Sequence, residues 1–277
     1  MSLGEVLGLA TEHLAKTSET ARLDAELLLA HALGRSRIEL YTDFDRPLNE
    51  EELAAYRGLV ARRARSEPVA YLLGEWGFRR LTLTVDSRAL IPRPETEIVV
   101  ERCLERLSGL EAPRVLDVGT GSGAIALALA DEHPGARVTA VDVSEEALEL
   151  ARTNAARTGL AIELLRHDLR EGLPAGPWDL VVSNPPYVEP AELETLMPDV
   201  RDYEPHVALV GAPGGGSATE AVARAARQEL RPGGWLVLEI GHGQAARTLA
   251  LLAELGYEET TATPDLAGRE RVVEGRR

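Results

Sequence analysis

The middle of the chain alternates strand-like runs, short turns and helix-like segments. Arg114–Val118 reads as a strand, residues 119–123 read Gly-Thr-Gly-Ser-Gly, and residues 124–130 read as a helix that stops before His133-Pro134-Gly135. The strand-like run returns at Arg137–Val141 and again at Leu180–Val182. Because strands that alternate with helices form a parallel sheet with helices on both faces, this pattern predicts a doubly covered α/β domain.

Further strand-like runs at residues 162–165, 234–240, 257–263 and 271–274 complete a set of seven. The last two are expected to close the sheet with an antiparallel edge. We therefore predict a Rossmann-like, seven-stranded α/β fold.

The first part of the chain has the spacing of helices instead. Asn49 precedes three glutamates, which is typical of a capped helix N-terminus. Arg62, Arg63 and Arg65 near the end of that helix are interpreted as solubilising residues that complement its dipole, with a partner-binding role as the alternative. The predicted domains are a small all-helical domain at 1–73, a β-hairpin linker at 74–90 and the α/β domain at 91–277.

Composition narrows the classes of function. A net charge of −15 over 277 residues argues against a broad electrostatic surface for nucleic acid. The single cysteine, Cys103, excludes an intrachain disulfide and a Cys-rich metal cluster, and no metal site is predicted. Since no apolar run has membrane-spanning length and no signal pattern opens the chain, we expect a reduced, cytoplasmic location.

The glycine turn and the acids around it predict a cofactor site at the carboxyl ends of the strands. Asp142 follows Gly119 by about 20 residues, the offset at which an acid meets ribose hydroxyls. NAD and S-adenosylmethionine both fit this loop. Asp117, placed to bind an amino group, and Asp168, placed to accept from an adenine amine, favour S-adenosylmethionine; for each acid taken alone, a helix or turn cap is the alternative. The predicted cofactor-binding residues are Asp117, Gly119, Thr120, Gly121, Ser122, Gly123, Asp142, Asp168, Leu169 and Asn184.

The fourth strand ends in the sequence Asn184-Pro185-Pro186-Tyr187. Two prolines hold this turn in stiff, extended geometry. Asn184 Oδ1 and the Pro185 carbonyl can then accept both hydrogens of a planar NH2 group, with Tyr187 stacked on its face. A hydride-transfer enzyme has no use for such a corner, so it also favours S-adenosylmethionine; a plain Pro-Pro turn is the alternative.

Six strings occur between about residues 70 and 273: Ile91-Pro92-Arg93-Pro94-Glu95-Thr96-Glu97, residues 116–125, Ser183-Asn184-Pro185-Pro186-Tyr187, Glu204-Pro205-x-x-Ala208-Leu209, Glu239-Ile240-Gly241-x-x-Gln244 and Asp265-Leu266-x-Gly268-x-x-Arg271. In this order they resemble the HemK-type protein glutamine-N5 methyltransferases, which act on translation release factors. The first string, joined to the later ones, is specific to that family. The glycine loop and the Asn-Pro-Pro-Tyr string are shared with DNA adenine methyltransferases.

The resemblance implies methyl transfer from S-adenosylmethionine to the side-chain amide nitrogen of the glutamine in the Gly-Gly-Gln motif of class-I release factors. It implies catalytic roles for Asn184, Pro185 and Tyr187, and a substrate-binding role for these three with Pro186. No strong general base is required, so His167 and His206 are interpreted as structural. The expected partner is a release factor, with no stable nucleic-acid binding and a monomeric enzyme.

Two departures from the family pattern concern loops. Leu169 stands where the family often has an aromatic residue beside the adenine, and Gly214–Gly216 with Ser217 replaces its usual Gly-x-Asp-Gly string. The alternatives are a glutamine methyltransferase for a ribosomal protein, a DNA adenine-N6 methyltransferase acting on an extruded base, and a non-catalytic cofactor-binding adaptor.

Overall fold

The computed structural model describes residues 1–211 and 217–277. Gly214–Gly216, singled out above as a departure, lies outside these residues. The chain forms two compact units: Met1–Glu75 with Met197–Tyr203, and Trp76–Leu196 with Glu204–Arg277.

The helices in chain order are α1 (Leu3–Leu14), α2 (Ala21–Leu33), α3 (Arg37–Thr42), α4 (Glu50–Arg63), α5 (Val69–Leu73), α6 (Pro94–Leu107), α7 (Ala124–Glu132), α8 (Glu145–Thr158), α9 (Pro198–Tyr203), α10 (His206–Leu209), α11 (Ser217–Glu229) and α12 (Ala245–Glu254). The strands are β1 (Glu75–Phe78), β2 (Leu81–Thr84), β3 (Arg114–Val118), β4 (Arg137–Asp142), β5 (Glu163–Arg166), β6 (Trp178–Ser183), β7 (Leu230–Glu239), β8 (Glu258–Pro264) and β9 (Glu270–Arg276).

The first unit contains α1 to α5 together with α9. Helices α1, α3 and α4 have the N-cap residues Ser2, Ser36 and Asn49, and each of these residues forms a capping box with a glutamate three residues later. Such reciprocal bonds satisfy backbone groups that a helix end leaves free. Local sequence therefore determines where these three helices start.

Arg63 is a buried residue of this unit, so its interpretation as a solubilising residue is wrong. It is only 5% exposed, donates from Nε to Asp24 at 2.7 Å, and approaches Asp199 of α9 at 3.5 Å. The Tyr203 hydroxyl donates to the Arg65 carbonyl at 2.9 Å. These bonds tie the late segment Met197–Tyr203 to the helical unit, which spacing along α4 alone could not reveal.

The second unit contains a two-stranded hairpin, β1–β2, and a seven-stranded sheet in the order β5-β4-β3-β6-β7-β9-β8. The pairs from β5 to β7 are parallel, whereas β9 pairs antiparallel with both β7 and β8. The predicted Rossmann-like fold with an antiparallel edge is confirmed. Strand order reverses between β3 and β6, and open α/β sheets bind ligands at such a switch point.

Successive residues of the central strands enter opposite layers of the core. Val115 packs with residues of α6 and α7, whereas Leu116 packs with residues of α11 and α12. In β6, Val182 belongs to the first layer and Val181 to the second. Apolar side chains on both faces explain why these strands are continuous apolar runs instead of alternating ones.

None of the helices in the described residues combines the length and the apolar character needed to cross a membrane.

Candidate active site

A cavity of about 310 Å³ lies at the carboxyl ends of β3, β4 and β6. Its lining includes most residues that the sequence pointed to: Gly119, Thr120, Gly121, Ser122, Asp142, Asp168, Leu169, Asn184, Pro185 and Pro186. Asp117, Gly123 and Tyr187 do not line it. The structure thus brings the glycine turn and the Asn-Pro-Pro-Tyr corner to one cavity.

The glycine turn is held by the backbone of the neighbouring strand. The amides of Gly119 and Thr120 both donate to the Val141 carbonyl, at 2.8 and 3.0 Å. Gly121 and Gly123 have φ angles of 55° and 83°, a region that other residues rarely adopt. Gly121, which lines the cavity, lets the turn expose backbone at the cavity wall.

Asp117 is a fully buried acid directly before this turn. Its Oδ2 accepts from the Thr120 hydroxyl at 2.6 Å, while its Oδ1 is buried without a hydrogen-bond partner among the described residues. Burial, with a smaller contribution from the Asp142 charge, raises the pKa of Asp117 to about 7. An unpartnered carboxylate oxygen beside a ligand cavity suits the amino group of a bound ligand.

Asp142, at the end of β4, is oriented by two backbone donors. The Gly121 amide donates to its Oδ2 and the Ser144 amide to its Oδ1, each at 2.9 Å. Since each carboxylate oxygen accepts more than one hydrogen bond, both retain capacity for the hydroxyls of a ribose. The position fits the predicted ribose role.

Asp168 lines the cavity, but its carboxylate is paired with Arg170. The Arg170 Nε lies 2.9 Å from Asp168 Oδ2, and the guanidinium holds the pKa of Asp168 to about 2. The predicted contact with an adenine amine therefore requires the acid to share its lone pairs with an exposed arginine. Leu169 follows in a single 3-10 turn and also lines the cavity.

The Asn-Pro-Pro-Tyr corner is held by side chains from distant segments. Asn184 Nδ2 donates to Thr96 Oγ1 at 3.4 Å. Gln244 Nε2 donates to the Tyr187 carbonyl at 3.1 Å, and the Tyr187 hydroxyl lies 3.5 Å from Glu239 Oε1. Sequence reasoning quoted Thr96, Glu239 and Gln244 within motif strings but assigned them no role.

Two acceptors of the corner remain unused. Among the described residues, no donor bonds to Asn184 Oδ1 or to the Pro185 carbonyl oxygen. Both residues line the cavity. The corner can therefore accept two hydrogen bonds from a ligand, as a primary amide requires.

A second support joins two other segments that line the cavity. The buried Glu204 accepts from the Ile91 amide at 3.2 Å and pairs with Arg93. These contacts join the Pro-Arg-Pro string to the Glu-Pro string and fix two stretches of the cavity wall. No group of His, Cys, Asp or Glu in the described part of the chain could hold a metal ion.

Sequence comparison places this architecture in a known family. The family model of the PrmC N-terminal domain matches residues 5–74, and that of the methyltransferase small domain matches residues 96–198. A protein of Geobacter sulfurreducens named release factor glutamine methyltransferase is 46% identical over 99% of this chain and 96% of its own. Its namesake in Chlorobaculum tepidum is 48% identical over 86% of this chain and 84% of its own.

Solved structures agree on the fold. An rRNA methyltransferase from T. thermophilus, in complex with AdoMet and guanosine, aligns with a TM-score of 0.54 at 21% identity over 73% of this chain and 49% of its own. At that identity the likeness concerns the fold alone. The full-length relatives are decisive: the chain belongs to the release factor glutamine methyltransferase family.

Proposed function

We propose that this protein transfers a methyl group from S-adenosylmethionine to the side-chain amide nitrogen (N5) of the glutamine in the Gly-Gly-Gln motif of class-I translation release factors. Relatives of this name are similar over nearly the full chain. The observation that carries the proposal is the corner itself, where Asn184 Oδ1 and the Pro185 carbonyl lie unused at the same cavity as the glycine turn.

The cavity residues fit S-adenosylmethionine, which supplies the methyl group as a sulfonium substituent and leaves as S-adenosylhomocysteine. Asp117 would bind the amino group through its unpartnered Oδ1. Asp142 would accept from the ribose hydroxyls, and Asp168 with Leu169 would lie at the adenine. The turn at Gly119–Gly123 would approach the ligand through its backbone.

The corner would orient the acceptor. An amide nitrogen is a weak nucleophile because its lone pair is delocalised, so alignment must supply much of the rate. Asn184 Oδ1 and the Pro185 carbonyl would take the two amide hydrogens, while Tyr187 and Pro186 fix the plane of the carboxamide. Positioning of this kind supplies up to about 7–11 kcal/mol of a barrier.

No strong base is needed in this scheme. The amide proton becomes acidic only once nitrogen carries the new methyl group, so it can leave to water. His167 Nε2 already contacts the Gly172 carbonyl at 3.1 Å, in keeping with a structural role.

The helical domain at 1–73 would recognise the release factor, because a Gly-Gly-Gln tripeptide offers little selectivity by itself. The linker at 74–90 would join it to the methyltransferase domain at 91–277. We further propose that the enzyme is monomeric and cytoplasmic. We also propose that it has no stable nucleic-acid binding, and the net charge of −15 supports this last point.

The test is a labelling experiment with a radioactive methyl donor. The acceptors are a class-I release factor, its Gln→Ala variant in the Gly-Gly-Gln loop, a mixture of ribosomal proteins, and duplex DNA. We expect label in the unmodified release factor alone. Label in the Gln→Ala variant, or in ribosomal protein or DNA in place of the release factor, would contradict the proposal.

A further inference from the structure

A buried chain of hydrogen bonds runs behind Asn184. Thr96, in the first turn of α6, is 5% exposed, and Glu239, at the end of β7, is 2% exposed. The Thr96 hydroxyl donates to Glu239 Oε2 at 2.6 Å, and its oxygen accepts from Asn184 Nδ2 at 3.4 Å. The carboxylate, the hydroxyl and the carboxamide thus form one series.

While Glu239 is ionised and can only accept, the direction of these bonds follows from the number of protons and lone pairs on each group. A threonine hydroxyl has one proton and two lone pairs. Once the Thr96 hydroxyl donates its hydrogen bond to Glu239, only its lone pairs remain to interact with Asn184. A lone pair attracts Nδ2 and repels Oδ1, so the carboxamide has one favoured orientation.

Orientation matters because the oxygen of the Asn184 amide accepts hydrogen bonds, whereas its NH2 group donates them. With Nδ2 on Thr96, Oδ1 is left as an acceptor for the hydrogens of a substrate NH2 group. In the reversed orientation the amide would present its own hydrogens to the same group, and two donors cannot pair.

We propose that Glu239, acting through Thr96, is a positioning residue that fixes the Asn184 carboxamide with Oδ1 toward the glutamine amide of the substrate. This proposal rests on the proposed function, because that function places a hydrogen-bond donor, the NH2 group of the substrate glutamine, at this corner. It extends the reacting corner by two buried residues that come from α6 and β7.

Substitution at Glu239 tests the proton direction with little change in shape. In Glu239→Gln the new amide can donate to Thr96, which then turns its own proton toward Asn184 and favours the reversed orientation. We expect the single-turnover rate at saturating S-adenosylmethionine to fall at least about tenfold, since misplacement at a reacting centre costs up to about 10²-fold. The Kd for S-adenosylmethionine should stay within about threefold of wild type.

Two substitutions at Thr96 separate the effect of its hydroxyl group from the effect of its size and packing. Thr96→Val removes the hydroxyl and should lower the single-turnover rate at least as much as Glu239→Gln, whereas Thr96→Ser keeps the hydroxyl and should restore the rate to within about threefold of wild type. The double variant Thr96→Val with Glu239→Gln should be no slower than Thr96→Val, because Glu239 acts on Asn184 through Thr96. An additional loss would show that Glu239 acts instead through Tyr187, whose hydroxyl lies 3.5 Å from Glu239 Oε1, and would contradict the series.

The chain offers a matched control in Thr139. Thr139 is 6% exposed and lies in β4, which β3 separates from β6. Its hydroxyl donates to Glu163 of β5 at 2.8 Å. Thr139→Val should therefore leave the single-turnover rate unchanged.

Wild-type protein is measured in parallel on the release factor, so that absence of any methylation refutes the proposed function and not the network alone. Given an active wild type, retention of the rate by Glu239→Gln or by Thr96→Val overturns the inference. A rate loss matched by an equal weakening of S-adenosylmethionine binding also overturns it. Such a result would show that Glu239 and Thr96 maintain the shape of the cavity and do not position Asn184.

Discussion

The glycine turn and the Asn-Pro-Pro-Tyr corner end neighbouring strands, yet they are held in different ways. The turn after β3 is bonded mainly at the end of the adjacent β4, by the Val141 carbonyl and Asp142, with one further hydrogen bond from Asn154 of α8 to the Ser122 carbonyl at 2.9 Å. The corner after β6 is bonded by side chains of Thr96, Glu239 and Gln244, which come from elsewhere in the chain.

This difference separates two tasks. The turn has to offer backbone to a ligand, and glycine, bonds to the neighbouring strand and one side-chain donor from α8 are enough for that. The corner has to hold one polar side chain in one orientation, which requires packed and hydrogen-bonded neighbours. We therefore expect substitutions near the turn to change cofactor affinity and substitutions near the corner to change the rate of methyl transfer.

The largest effect is expected for Asn184→Ala. It removes an acceptor for the substrate amide, and the loss of one preorganised hydrogen-bonding group costs about 10²- to 10³-fold in rate. The single-turnover rate should fall by that factor or more, while the Kd for S-adenosylmethionine, measured by calorimetry, stays close to wild type. A variant that keeps its rate would show that the corner does not orient the acceptor.

A large effect on stability is expected at Glu239, because burial raises its pKa to about 7. Thr96 and Arg271 act against this rise, Glu95 adds to it, and Tyr187 also bonds the carboxyl. Since the folded pKa lies above the unfolded one, the stabilising contribution is complete below about pH 4 and is lost as pH rises through about 7.

The measurement is urea unfolding of wild type and Glu239→Gln at several pH values. Relative to the variant, wild type should lose about 2–3 kcal/mol of unfolding free energy between about pH 5 and about pH 8. Groups shared by both proteins cancel in this difference. A difference that stays constant with pH would place the pKa of Glu239 near its ordinary value.

The fold was predictable because it depends on patterns that repeat locally. Strands that are apolar on both faces, such as Leu180–Val182, indicate a covered parallel sheet wherever they occur with helices between them. Capping residues such as Asn49 mark helix starts within a few residues. The segment Met197–Tyr203 had no such signal, because its place in the helical unit depends on Arg63 and Tyr203 meeting distant partners.

The location of the site was also predictable from local patterns, but the contacts between its side chains were not. Strand ends and glycines placed Gly121, Asp142 and Asn184 at one edge of the sheet, where the cavity lies. Which side chain supports which cannot be read from spacing, because Thr96 and Glu239 meet only after α6 packs on the sheet. The pairing of Asp168 with Arg170 was missed for a different reason: the two residues are close in sequence, but their pairing depends on side-chain rotamers.

A smaller effect is expected for Asp117→Asn on the cofactor side. The amide keeps the shape of the acid but loses the charge that would bind an amino group, and hydrogen bonds to charged groups contribute about 1.5–3 kcal/mol. The Kd for S-adenosylmethionine should rise about 10- to 100-fold, while the single-turnover rate at saturating cofactor changes little. An unchanged Kd would remove Asp117 from the cofactor site and leave its buried Oδ1 unexplained.

The smallest effect is expected for Gly241→Ala, which presses on the Tyr187 ring and the Gln244 amide and leaves the acceptors of Asn184 and Pro185 in place. A Cβ at Gly241 would lie 3.0 Å from Tyr187 Cδ2 and 3.1 Å from Gln244 Cδ, so the tyrosine ring must shift by a few tenths of an ångström. We expect a decrease of about tenfold or less in the single-turnover rate, with cofactor affinity unchanged. Gly77→Ala is the matched control, because a Cβ there meets nothing within 4 Å. Equal rates for both variants would mean that the Tyr187 ring tolerates displacement, and the stiffness that distinguishes the corner from the glycine turn would then reside in Asn184 and Pro185 alone.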